Sequence, residues 1–72
     1  MITKYALVLV ICSLETNSCM PPFNYPIQFN DSYDCMMTGY KESLTKTEEL
    51  GRDNINKHKI YIKFSCEPVQ TI

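Results

Sequence analysis

Four cysteines, Cys12, Cys19, Cys35 and Cys66, are the residues of this 72-residue chain whose type and number point to chemistry. A structural zinc takes four tetrahedral thiolates, commonly supplied as two close pairs. Here six, fifteen and thirty residues separate successive cysteines, with no C-x-x-C knuckle. Neither a metal site nor a redox-active thiol pair is expected from that spacing. An even count in so short a chain suggests a disulfide framework if the protein is exported, and free thiols or a metal if it stays in reducing cytoplasm.

Other chemistries find no residues to carry them. Two glycines cannot build a phosphate-cradling loop or a nucleophile elbow. Glu48 and Glu49 fall on a polar helix face, where paired carboxylates have no burial to tune them. His58 is the single histidine and has no partner recognisable from the sequence as a general base needs. The net charge is −1 and the lysines are scattered among acids, so no nucleic-acid face is formed. The sequence therefore implies no enzyme, no cofactor and no catalytic residue.

The element best placed to position the cysteines is a helix over about 31–51. Asp31 suits the N-cap, Asp34 follows three residues on, and Gly51 stands at the stop. Tyr33, Met36, Met37, Tyr40, Leu44 and Thr47 share a broad face expected to be core. Cys35, Gly39 and Ser43 form a small-residue row at its edge. Gly39 costs about 1 kcal/mol of helix propensity, which close approach to a sheet would offset. Glu42 and Lys46 stand at i,i+4 in the favourable order.

Two strands flank it, at about 4–12 and 59–67. The first, Tyr5 to Cys12, is a continuous β-branched run suited to a covered strand. The same run, behind Lys4, also reads as the apolar centre of a signal peptide spanning 1–18, cut before Cys19 as in a lipoprotein. The strand is the preferred reading. The second strand alternates Ile60, Ile62, Phe64 and Cys66 with Tyr61, Lys63 and Ser65, and Pro68 is expected to end it. Residues 20–30 carry three prolines and read as an extended irregular connection. Asn30-Asp31-Ser32 matches a glycosylation triplet but suits helix entry better. Residues 52–58 read as a polar turn.

The expected architecture is a single α+β domain over 1–72, a small two-layer β-(Pro-rich loop)-α-β unit, with the crossover making the strands parallel. Cys12, Cys35 and Cys66 would then gather at one end, with Cys19 in reach. The favoured pairing is Cys35–Cys66 with Cys12–Cys19, and the second choice is Cys12–Cys66 with Cys19–Cys35. After signal cleavage only Cys35–Cys66 would remain.

Taken together, VICSLETNSCMPP, YDCMMTGYKESL and NKHKIYIKFSC resemble short four-cysteine hypothetical proteins of marine tailed phages of cyanobacteria and their relatives. The resemblance implies a small accessory viral gene acting in or on a bacterial cell and carries over no functional residue. The functional expectation is a disulfide-stapled binding or interaction module with a protein partner, extracytoplasmic or virion-associated. Its alternatives are a cytoplasmic host-takeover factor with reduced cysteines and an exported lipoprotein-like protein. A membrane is expected only if the N-terminus is a signal or anchor. Tyr61 and Lys63, with Phe23 and Tyr25, are the candidate contact surface, since aromatic residues favour interface cores.

Overall fold

A computed structural model of the chain describes residues 2–71, with backbone alone at positions 2 and 71. The protein has an α+β fold in two layers. In chain order it comprises β1 (Ile2–Ser13), β2 (Ser18–Cys19), β3 (Phe23–Phe29), α1 (Ser32–Leu50), α2 (Arg52–His58) and β4 (Ile60–Thr71). β1 is the central strand. It pairs along its whole length with β4, from Ile2 opposite Thr71 to Ser13 opposite Ile60. On its other side it pairs with β3 near its start and with β2 at its end.

All of these pairings are antiparallel, which corrects the parallel arrangement expected of the crossover. The reason lies in the proline-rich segment, which is a strand and not an irregular loop. β3 carries the chain back to the starting end of β1, with Phe29 opposite Tyr5. α1 therefore runs in the direction of β1, and β4 must return against it. β3 accommodates Pro26 by a bulge: Ala6 faces Gln28 and Val8 faces Asn24, so Leu7 stands against three residues. β4 continues through Pro68 to Thr71, beyond its expected end.

Alternation divides the sheet. Tyr5, Leu7 and Leu9 of β1 face α1 together with Ile62, Phe64 and Cys66 of β4 and with Tyr25 and Phe29 of β3. Leu7 and Cys35 are fully buried and Leu9 is nearly so. Burying each leucine stabilises by about 1.5–3 kcal/mol, a thin core for a chain this size. The opposite face presents Ala6, Val8 and Val10, half-buried by their neighbours, with no helix over them among the described residues.

α1 starts and stops where its local signals place it. The Asp31 carboxylate accepts from the Asp34 N–H at 2.8 Å, and the Gly51 N–H donates to the Thr47 carbonyl at 3.1 Å with Gly51 at φ 85°. The ion pair it makes is Lys46 with Glu49 at 3.5 Å, not with Glu42. The face it buries differs from expectation. Cys35 and Gly39 lie against the sheet, whereas Tyr33, Met36, Met37, Tyr40 and Leu44 are exposed. Residues 52–58 form the short helix α2 in place of a turn, helped by the Asn54 amide donating to the Leu50 carbonyl at 2.9 Å. Lys59 then turns the chain into β4 through a left-handed conformation, φ 51° and ψ 53°.

Candidate functional site

The small-residue row decides which side of α1 meets the sheet. A bridge usually holds its two Cα atoms within about 6.8 Å, and large side chains between helix and sheet would hold the backbones too far apart. Cys35 is bonded to Cys66 with a Cα–Cα distance of 6.1 Å. One turn later Gly39 lies against the Phe64 ring so closely that a Cβ there would overlap it. Ser43 continues the row, its hydroxyl buried without a hydrogen-bond partner. With this row inward, the aromatic and methionine residues must point to solvent.

Cys12 is bonded to Cys19 across the β1–β2 pair, Cα–Cα 4.0 Å. Both bonds are the pairs favoured from the sequence, but the cysteines do not share one end. Cys66 stands opposite Leu7, whereas Cys12 stands opposite Tyr61. Neither bond leaves a thiol: among the described residues no cysteine is free. Among them, too, no three of His, Cys, Asp and Glu gather as a metal would require, and no helix is long and apolar enough to cross a membrane.

Beside Cys12–Cys19, the Ser13 hydroxyl donates to the His58 carbonyl at 2.7 Å, and the His58 Nδ1 lies 3.6 Å from a Glu15 oxygen. Both side chains of that pair are about half exposed. These contacts tie the end of β1 to the α2–β4 corner, and the Ser13 hydroxyl is engaged by the His58 backbone carbonyl rather than by its ring.

The four residues of the expected contact surface are not brought together. Tyr61 and Lys63 are exposed on the outer sheet face, in the set with Val8 and Val10. Phe23 and Tyr25 lie on β3: Phe23 opposes Leu9 and carries the Lys46 ammonium 5.9 Å from its ring centroid. Tyr25 packs on the core and stacks with Phe29, centroids 6.0 Å apart. Two surfaces take their place. One is the outer sheet face, where Lys4 and Lys63 flank Ala6, Val8 and Val10 and Glu67 is the acid on β4. The other is the exposed stripe of α1, which sequence reasoning assigned to the core. The signal for it was present in the Cys35, Gly39, Ser43 spacing, since a bonded cysteine in such a row fixes the inward side. No family model, no curated protein and no solved structure matches the chain.

Proposed function

We propose that the chain is a small, non-enzymatic phage accessory protein that works as a disulfide-stapled binding module, with the outer sheet face as its contact surface. The observation that carries this reading is a sheet face with an apolar centre and, among the described residues, no layer over it: Ala6, Val8 and Val10, beside exposed Tyr61. Two bridges hold a thin core in a fixed shape, which lowers the ordering cost of binding. Lys4 and Lys63 at the margins favour a protein partner presenting apolar side chains edged by carboxylates.

Val10→Glu is the discriminating variant. Position 10 faces Lys63 across the ladder, so a glutamate there gains a cross-strand partner and the fold survives, while the apolar centre acquires a charge. The partner recovered with the oxidised protein from host bacteria should bind the wild type in purified form and bind both Val10→Glu and Tyr61→Ala at least tenfold more weakly. Unchanged affinity in both variants, at unchanged stability, would place the contact elsewhere.

A further inference from the structure

β4 is an edge strand, and its outer side is more open than the opposite edge. On the far edge β3 is interrupted by Pro26 and its bulge, and β2 has two residues, the usual defences of a sheet edge. β4 has twelve residues and, among the described residues, no strand pairs with its outer side. The Leu14 N–H donates to the Lys59 carbonyl at 3.0 Å, in step with the Ser13–Ile60 register, and this fixes the phase of the ladder. Tyr61, Lys63, Ser65 and Glu67 turn their backbone groups toward β1. Ile60, Ile62, Phe64, Cys66 and Pro68 turn theirs outward. The residue without an N–H thus sits where it leaves no inner bond unmade, and the outward donors of Ile60 to Cys66 stay available.

The exposed stripe of α1 runs along this same edge. Tyr40 meets Phe64 edge to face, centroids 4.9 Å apart, yet is 61% exposed, and Leu44 is 62% exposed. Met36 and Tyr40 overhang an open groove floored by Ile62, Phe64 and Cys66. Side chains and backbone donors on one margin are what a second sheet with its own helix would match.

We infer that two copies of this chain associate through β4, antiparallel about a two-fold axis perpendicular to the sheet, with their α1 helices side by side. α1 rests on both β1 and β4, through Leu7, Leu9, Phe64 and Cys66, so its axis lies about half a strand spacing inside β4. Adding one strand spacing across the junction sets the two helix axes roughly 10 Å apart, within the packing range of helix pairs. Tyr40 then faces its symmetry mate, and Met36 faces Leu44 of the other copy.

The helix stripe and charge together set the register. Centring the pair on Lys63 would set two lysines directly opposite each other, which is destabilising. Centring it on Phe64, which Tyr40 meets edge to face, brings the two Tyr40 side chains together, sets Lys63 opposite Ser65, and forms roughly eight backbone hydrogen bonds. Tyr33, Met36, Tyr40 and Leu44 with the strand margin would bury about 700 Å² per copy, near the size of a standard interface. The inference stands apart from the outer-face reading, because pairing at the edge leaves Val8 and Val10 open on both copies.

The test uses the oxidised full chain. At about 0.5 mM, where a micromolar dimer is saturated, sedimentation should give twice the 8.4 kDa chain mass. The amides of Ile62, Phe64 and Cys66 should gain protection from hydrogen exchange as concentration rises. Leu44→Glu, at a position outside the core, should weaken association at least tenfold with unchanged circular dichroism and no change in the affinity that Val10→Glu tests. A monomer at that concentration overturns the inference. So does a dimer in which those three amides stay unprotected, or one that Leu44→Glu does not weaken.

Discussion

Replacing Gly39 by alanine sets two known magnitudes against each other at one position. On an exposed helix surface the change is favourable by about 1 kcal/mol, from lost unfolded-state freedom and better propensity. Here the added methyl overlaps three atoms of the Phe64 ring, including the Cγ at the root of the ring. Swinging the far end of the side chain cannot clear that atom. The ring is also confined, with Tyr40 against it and Leu9 opposite on β1. Overpacking of a filled site costs typically 1–3 kcal/mol, and the bridge at Cys35–Cys66, one turn away, keeps the helix from lifting. The clash outweighs the propensity, leaving a net loss of up to about 2 kcal/mol. For a domain of this size that lowers Tm by up to roughly 15 °C. Thermal unfolding of the oxidised protein followed by circular dichroism, at one fixed concentration because association alters apparent stability, measures it. Phe64→Leu supplies the control: in that background Gly39→Ala should cost less or become stabilising, a positive coupling energy in a double-mutant cycle. A Gly39→Ala protein that melts higher than wild type, or a cycle with no coupling, would refute the close helix–sheet contact at this point.

Ser43→Ala should raise stability by about 1 kcal/mol in denaturant titration, because it removes a buried hydroxyl that has no partner. Asp31→Ala should lower it by about 1 kcal/mol through loss of the N-cap bond to Asp34, whereas Asp31→Asn should be nearly neutral. Opening Cys35–Cys66, which spans 31 residues, should cost about 3.7 kcal/mol by loop entropy, against ~2.5 for Cys12–Cys19, so the double Cys→Ala variants should unfold in that order.

What the sequence announces locally, the structure contains. The Asp31 cap, the Gly51 stop and the alternation from Ile60 to Cys66 each depend on neighbours within a few residues, and the proposed close approach at Gly39 is present. What failed depended on distant partners. The inward side of α1 was judged by the size of its apolar residues, but a covalent bond at Cys35 governs it. Strand direction failed through one segment. Three prolines argued against a strand at 20–30, yet a bulged edge strand tolerates Pro26, and once β3 counts as a pass across the sheet β4 must run antiparallel. Residues 52–58 read as a turn because asparagine is a poor helix former, but a seven-residue helix needs little propensity when Leu50 accepts a side-chain bond at its start.

The cysteine pairing illustrates how a bond can be insensitive to topology. In a parallel unit Cys66 would lie at the same end as Cys12, and the two alternatives would compete. In the antiparallel sheet Cys66 faces Leu7, five residues from Cys12 along β1, a separation of about 17 Å. That is far beyond the ~6.8 Å upper reach of a bridge. The two also lie on opposite faces: Cys66 is in the set with Leu7 and Leu9 against the helix, and Cys12 is in the set with Val8 and Val10. Cys35, early in α1, meets Cys66 because β3 has already brought the chain back to the start of β1. A Cys12–Cys66 bond therefore requires the β1–β4 ladder to be broken. Oxidative refolding in a glutathione buffer should yield a single species, and peptide mapping of the non-reduced product should join Cys35 to Cys66 and Cys12 to Cys19. A stable, cooperatively folded product carrying Cys12–Cys66 would show that β1 and β4 do not pair in this register.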